Sequence, residues 1–448
     1  MGLLSQIEPR FLNGALQIVE TLHQAGFEAL FAGGMVRDLL LGRPVSDIDV
    51  TTSAPPETIE RLFDHTIPVG KQFGVVIVII DSVNYEVATF RKEFDYQDGR
   101  HPGRVEFTSA QEDSLRRDFT INALMLDPRQ EEVIDFVGGR RDLENRIIRT
   151  VGDAEDRFRE DKLRLMRAIR FACELDFQIE DQTKRALRAQ ACEIRQVSQE
   201  RIRDELLKTL VSPRGGLGLE MLMEAGLLHR ILPEVAAMAG VEQPPEFHPE
   251  GDVFVHTCLM LTLAEAPHFV LALGILLHDV GKPPTFEVAD RIRFNGHADV
   301  GAEMAEDICR RLRVSREDCH RVVDLVKDHL RFMHVQEMRE STLKRFLRKD
   351  YFDDHLELHR LDCLASHENL SNYEFCCRRL KEIGEERLKP ELVLGGRDLI
   401  ELGFSPGPIF SEILSSLEDK QLEGEITERQ EALEWVRAKW PPPSQNAG

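Results

Sequence analysis

No stretch of the 448 residues stays apolar long enough to span a membrane, and the opening MGLLSQIEPRF lacks a basic segment followed by an apolar signal core. The expectation is a cytoplasmic protein with no membrane partner. No two cysteines stand at CxxC spacing. The eight (Cys173, Cys192, Cys258, Cys309, Cys319, Cys363, Cys376 and Cys377) are scattered, which argues against a disulfide or zinc framework and for small buried residues in a reducing compartment. A basic excess is missing too. With 57 Lys and Arg against 79 Asp and Glu, the net charge of −22 argues against non-specific nucleic-acid binding by the whole surface, so any such function needs a local basic cleft. There is no internal repeat of fixed period.

What is present is ordinary globular material, 42% hydrophobic and 30% charged, in a chain long enough for two to four domains. The most informative stretch is Gly33 to Val50, GGMVRDLLLGRPVSDIDV. A short apolar strand, Ala29 to Ala32, runs into two glycines, a short helix over Met35 to Leu41, a turn at Gly42 to Pro44, and a second strand carrying Asp47 and Asp49. Carboxylates two residues apart on a strand face the same side and can grip one divalent metal. Gly33 and Gly34 let the amides at the next helix's start approach a phosphate, and Arg37, one turn on, can meet the same phosphates with its fork of donors. Either half alone is commonly a turn or a solvated strand end. Together, behind a strand, they predict a nucleoside triphosphate and metal site.

Along the chain, residues 8 to 24 carry helical apolar spacing, Pro55 and Pro56 open a helix reaching about Phe63, and Val75 to Ile80 and Tyr85 to Thr89 predict strands. The polar, glycine-bearing run Phe90 to Phe107 predicts a mobile loop beside the site. Next, a helix carrying Arg116 and Arg117 leads to Asp118, a candidate third carboxylate for the metals. From Asp153 to about Leu228 the pattern is helical. In REDKLRLMRAIRFA, Asp161, Arg164 and Arg167 recur every three residues and Arg170 extends the series, with Leu163, Met166 and Ile169 as the buried stripe. A carboxylate beside guanidiniums suits hydrogen bonding to a nucleobase edge. Arg185, Arg188, Arg195, Arg201 and Arg203 are candidates for a local RNA track.

Gln243 to Asp252 reads as a linker into a second helical unit that holds His256, His278, Asp279, His297, His329 and Asp362. Imidazoles and carboxylates spread over several helices can converge on one or two divalent ions of unspecified identity. Gly395 and Gly396 lack a preceding strand and a following Gly-Lys-Ser, so they predict a connection between helices rather than a phosphate loop. The tail PPPSQNAG predicts disorder.

Four motifs in order, GGMVRD with DID, YEVATFR, RRDFTINAL and REDKLRLMRAIRF, resemble the bacterial class II tRNA nucleotidyltransferase and poly(A) polymerase family with an appended HD domain. The resemblance is strong over about residues 25 to 230, clear in the HD unit and loose beyond it. It implies an α+β fold: a polymerase-β-like nucleotidyltransferase sheet-and-helix domain followed by all-α domains including the HD domain. The implied divisions are 1–150 (catalytic), 151–240 (nucleotide selection and RNA), 241–385 (HD) and 386–448 (helical tail region).

By the same resemblance, Asp47, Asp49 and Asp118 are the catalytic carboxylates, with Mg²⁺ on the first two. Gly34, Arg37 and Arg117 contact triphosphate, while Asp161, Arg164, Arg167 and Arg170 select and hold the nucleotide. The expected partners are tRNA, CTP and ATP, and the expected activity is CCA addition. CC-only, A-only or poly(A) addition, or a metal-dependent HD phosphohydrolase with a merely nucleotide-binding N-terminal domain, are the alternatives. A mobile loop at Phe90 to Phe107 favours full CCA addition, because one pocket must be reshaped between C and A.

Overall fold

The computed structural model describes residues 2–45, 47–69, 74–96, 102–246, 248–384 and 391–441, with the side chains of 95, 96, 102 and 103 left out. Most of the tail stretch therefore lies outside the described residues. The chain forms two compact units. One comprises residues 1–237 with 265–269 and 308–314; the other comprises 238–264, 270–307 and 315–448.

In the first unit α1 (Pro9–Gln24) precedes β1 (Ala29–Ala32), whose four residues are all buried. Then come α2 (Gly34–Leu40), β2 (Asp49–Thr52), α3 (Pro56–Leu62), β3 (Thr66–Ile67), β4 (Val75–Ile80) and β5 (Val83–Thr89). After the hairpin β6 (Arg91–Tyr96) and β7 (Pro102–Phe107) follow α4 (Ala110–Leu115), β8 (Met125–Asp127) and β9 (Glu132–Ile134). One seven-stranded sheet has the order β3-β4-β5-β2-β1-β8-β9. Its pairs are antiparallel except β2 with β5, where Val50 stands opposite Val87. That register brings Glu86 beside Asp49, one residue earlier on each strand. In β5 Tyr85, Val87 and Thr89 are buried while Asn84 and Glu86 face out, the alternation of a half-buried strand.

The helices α5 (Gly139–Glu144), α6 (Ala154–Glu160), α7 (Arg164–Leu175), α8 (Asp181–Gln190), α9 (Gln199–Leu210) and α10 (Gly215–Glu224) continue the unit. Leu163, Met166 and Ile169 are buried as the periodicity predicts.

Three expectations are corrected. Phe90 to Phe107 is not a free loop: β6 and β7 pair from Arg91 opposite Phe107 to Tyr96 opposite Pro102, and only the tip, 97–101, falls outside the described residues. Its base is tied down, since the Arg91 amide donates to Asp113 (3.2 Å) and Arg116 Nε donates to the Arg91 carbonyl (3.1 Å). Second, Arg159 to Ala172 is not one helix. Asp161 is extended (φ −139°, ψ 107°) between α6 and α7, and its carboxylate accepts from the Leu163 amide at 3.0 Å, the local bond by which aspartate competes with helix. Third, α4 ends at Leu115, so Arg116 and Arg117 lie at and just past its end.

Wholly or mainly in the second unit are α11 (Val253–Leu263), α12 (Phe269–Leu277), α13 (His297–Arg311), α14 (Arg316–Asp328), a 3-10 stretch His329–Glu337, α15 (Glu340–Leu347), α16 (Phe352–Leu364) and α17 (Ser371–Ile383). It ends in α18 (Gly396–Glu401), α19 (Pro408–Leu422) and α20 (Arg429–Lys439), which share a core of Leu399, Ile413, Leu417 and Val436. Gly395 and Gly396 sit at the start of α18, as a connection should. Five of the eight cysteines are buried, and Cys192 is exposed.

Candidate active site

A cleft in the first unit is lined by Gly33, Gly34, Arg37, Asp49, Glu86, Arg91, Arg116, Arg117, Asp118, Asn122, Asp161, Arg164, Arg167 and Phe171. Gly33 joins β1 to α2 with φ +80°, a conformation that a side chain would strain. A Cβ there would stand 3.1 Å from Arg117 and 3.7 Å from Asp49, so the missing side chain keeps the floor open. Arg37, only 4% exposed, donates to Asn122 Oδ1 (2.6 Å) and to Asp38. Arg117 is held by Asp113 (3.1 Å) and by the Asn122 carbonyl (3.3 Å). Both guanidiniums are therefore fixed before any anion arrives, which lowers the ordering cost of binding one.

Asp49 opens β2 and is reached by solvent, yet protein crowds its carboxylate. Desolvation, then the charge of Glu86, push its pKa up to about 6; Arg117 opposes them and Asp47 adds a smaller push in the same direction. Two carboxylates held together against their mutual repulsion fit a divalent cation, whose charge would relieve both. Asp47 precedes the strand, is exposed and does not line the cleft. The third acidic group at Asp49 is Glu86, in YEVATFR, where sequence reasoning placed Asp118.

Asp118 is otherwise engaged. Its Oδ2 accepts from Arg167 Nη2 (2.6 Å) and Nε (2.9 Å), and its Oδ1 accepts from the Phe119 amide and Asn122 Nδ2. Burial alone would raise its pKa, but Arg167 and Arg164 outweigh burial and hold it at about 2. With these bonds made, Asp118 orients Arg167 rather than offering itself to a cation.

On the opposite wall α9 supplies two anchors one turn apart. Arg201 Nη2 donates to Asp161 Oδ2 at 2.7 Å, and Glu205, 4% exposed, pairs with Arg170 Nε (2.7 Å) and Arg167 Nη1 (3.6 Å). Arg164 donates to the carbonyls of Arg157 (2.9 Å) and Arg116 (3.1 Å) and to Glu160 (2.7 Å). Phe171 packs beneath the guanidiniums of Arg37, Arg167 and Arg170, 4.1 to 5.1 Å from its centroid. Arg170 itself does not line the cleft. Sequence spacing had suggested neither Glu205 nor Phe171; a buried acid on a distant helix is visible only once the helices pack.

Of the suggested RNA track, Arg201 serves Asp161, Arg203 pairs with Asp204 and Arg188 with Glu224. Arg185 and Arg195 are exposed and have no ion-pair partner among the described residues.

A separate centre occupies the second unit. His256, His278 and Asp279 offer ligand atoms within 4.8 Å of one another, and so do Asp279, His297 and His329; Asp362 lies 3.1 Å from His256 Nε2. Burial favours raising the pKa of Asp279, but His278 and Lys282 hold it well below the carboxylate range, while burial pushes His329 down to about 4 and lowers His297. Both ring nitrogens of His256, His278 Nε2 and Asp279 Oδ2 are buried and make no well-directed hydrogen bond among the described residues, although ion-pair partners stand close to each. Groups arranged around a cation, rather than around one another, leave such atoms. Gln243 to Asp252 is corrected here: His248 and Glu250 from that stretch join the cluster through His256, so it is not a bare linker.

Asp49 also sets a pH expectation. Its raised pKa means that below about pH 6 a cation at the cleft must displace a proton, so affinity should fall by up to about tenfold per pH unit there and be flat above. Mn²⁺ titration of the Asp279→Ala protein at pH 5, 6 and 7.5 measures this. Equal affinity at all three values would contradict it.

Residues 29–149 match the family described as the poly A polymerase head domain, 176–238 a probable RNA and SrmB-binding site of polymerase A, and 253–357 the HD domain. A CCA-adding enzyme of Geobacillus sp. is 48% identical over 214 residues, 48% of this chain and 53% of the relative, so the match spans about half the length of that relative. The CCA-adding enzyme of Streptococcus gordonii is 34% identical over 429 residues, 95% of this chain and 96% of the relative. Among solved structures, the Bacillus stearothermophilus CCA-adding enzyme in complex with CTP has a TM-score of 0.73 at 29% identity, covering 97% of this chain and 98% of that one. The Thermotoga maritima CCA-adding enzyme complexed with tRNA shares the fold, with a TM-score of 0.63 at 21% identity over 98% of this chain and 97% of that one. With sequence similarity running nearly end to end, an arginine-walled cleft over paired carboxylates in one unit and an HD cluster in the other, the chain belongs to the family of CCA-adding enzymes.

Proposed function

We propose that this protein adds C, C and A to the 3′ end of tRNA from CTP and ATP without a nucleic-acid template. The observation that carries the reading is the pairing of Asp49 and Glu86 beneath a wall of fixed arginines. Arg37 and Arg117 would hold the triphosphate, with the amides that follow Gly33 and Gly34 near its oxygens. Asp161 and Arg164 would read the base edge, and Asp118, Arg201 and Glu205 would keep the reading side chains in place. Asp49 and Glu86, with Asp47 at the strand's entrance, would hold Mg²⁺, which when bound supplies charge neutralisation at the reacting phosphate. The 3′ oxygen bonds to the α-phosphorus as the bond to pyrophosphate breaks. Such an enzyme works in the cytoplasm, with a division near residues 150, 240 and 385 into catalytic, nucleotide-selecting, HD and tail regions. The HD cluster would hold a divalent ion of its own.

Three tRNA substrates test the product: one lacking CCA, one ending in C and one ending in CC. The first two should take CTP before ATP, the third only ATP, and all should stop after A. Long A tracts on unrelated RNA would replace this reading with poly(A) addition, and growth that stops at CC or starts only from CC would replace it with partial addition.

Arg164→Ala tests base reading. A bidentate base contact is worth about 1–3 kcal/mol, roughly 5- to 150-fold, so misincorporation of UTP and GTP should rise by that order relative to CTP. Residual activity with unchanged nucleotide preference would assign Arg164 to holding the Arg116 and Arg157 backbone instead.

A further inference from the structure

His256, His278, His297 and His329 of the HD cluster are not oriented alike. His278 Nδ1 stands 2.8 Å from the Ile275 carbonyl, His297 Nδ1 2.8 Å from that of Phe294, and His329 Nδ1 2.6 Å from that of Val326. Each ring thus gives its Nδ1 proton to the carbonyl three residues back, which leaves the Nε2 lone pair turned inward. His297 and His329 accordingly face each other Nε2 to Nε2 at 3.3 Å, beside Asp279. This arrangement presents neutral imidazole to a cation.

His256 lies inside α11, and the carbonyl three residues before it, that of Val253, accepts instead from the Thr257 hydroxyl at 3.0 Å. What stands 2.7 Å from His256 Nδ1 is Glu250 Oε1, at ion-pair distance though off the ideal hydrogen-bond direction, while His256 Nε2 points to Asp362. The same Glu250 oxygen is 2.8 Å from His248 Nδ1, whose ring meets His256 edge-on at 5.1 Å between centroids.

Glu250 is itself fixed. The segment that carries it is closed at its base by the bridge between Glu242 and Asp252, by the Gln243 amide donating to the Gly251 carbonyl (3.0 Å), and by the Val253 amide donating to the Val241 carbonyl (3.1 Å). A second tie runs to the cluster: Lys282 Nζ donates to Gln243 Oε1 at 2.6 Å and stands 2.6 Å from Asp279 Oδ2. Residues 242–252 lie outside the stretch that matches the HD domain.

We propose that Glu250 is the positioning residue that does for His256 what backbone carbonyls do for the other three histidines: it takes the Nδ1 proton and so commits Nε2 to a divalent cation. His248 steadies Glu250 from the other side. The cation centre of this chain therefore includes Gln243, His248 and Glu250, and this holds whether or not the N-terminal cleft transfers nucleotides.

Full-length wild type, Glu250→Ala and Glu250→Gln are compared after circular dichroism shows that all three are folded. Mn²⁺ affinity is measured by calorimetry in an Asp49→Asn background, which silences the cleft. Zn²⁺-loaded protein labelled with ¹⁵N-histidine reports which His256 nitrogen carries the proton. Glu250→Ala should weaken Mn²⁺ binding by about 10- to 100-fold and lose the Nδ1–H form of His256. Glu250→Gln keeps an acceptor oxygen and should restore that form and part of the affinity. Wild-type affinity in Glu250→Ala would overturn the proposal. So would weakened binding with the His256 proton unmoved, or no metal binding by the wild type.

Discussion

Asp49→Asn should lower incorporation of both CTP and ATP by at least about a hundred- to a thousand-fold, the order lost when a group that stabilises transition-state charge is removed. The fold should not suffer. Asp49 has a raised folded-state pKa, so its ionised form disfavours the native state: this cost is absent below about pH 3.8, grows as pH rises to about 6, and is full above that. Asparagine carries no such charge, so at pH 7.5 the melting temperature of the variant should equal or exceed that of wild type. A folded Asp49→Asn protein with near-normal incorporation of either nucleotide would remove Asp49 from the chemistry. A variant that fails to fold would show that the paired carboxylates are structural.

The second large effect is expected at Glu205, far from Asp49 along the chain. It is nearly fully buried and pairs with Arg170 and Arg167, so truncation to alanine leaves guanidiniums short of their partner in the interior. Breaking a buried pair from one side costs about 3–5 kcal/mol, because the remaining charge is desolvated without compensation. Arg170 retains Glu174 at 3.3 Å and Arg167 retains Asp118, which places Glu205→Ala toward the lower end of that range. Urea unfolding of the full chain measures the loss, and steady-state kinetics should show KM for both nucleotides rising as Arg167 loosens. Unchanged stability would mean that the Asp118 and Glu174 contacts suffice. Lost stability with unchanged KM would confine Glu205 to holding α7 and α9 together.

These two residues also mark what could and could not be read from the chain. The strand Ala29–Ala32, the glycines and the helix behind them are local features: four apolar residues, a left-handed glycine and a three-to-four residue period, each with its cause close by in sequence. So are Val75–Ile80 and the strand that follows. Glu86 lies within YEVATFR, but its place beside Asp49 depends on β5 lying parallel to β2, and neither strand's own sequence names its partner strand. Asp161 fits a three-residue spacing with Arg164 and Arg167, but a side-chain bond to the Leu163 amide overrides it and breaks the helix. The hairpin at Arg91–Phe107 carries the polar, glycine-bearing composition of a loop, and Asp113 and Arg116, later in the chain, fasten the base of its ladder. Gln243 to Asp252 has a linker's prolines and acids. Only the folded chain brings Glu250 to His256.

The central claim is that a protein surface, with no template strand, directs C, C and then A onto tRNA. Incubating the full-length protein with tRNA lacking its CCA end, Mg²⁺ and labelled CTP and ATP, then resolving the product one nucleotide at a time, tests it most directly. The account predicts two C residues followed by one A, incorporation that survives Asp279→Ala and falls by at least about a hundredfold with Asp49→Asn. No incorporation of either nucleotide, or activity that Asp279→Ala abolishes and Asp49→Asn leaves intact, would contradict it.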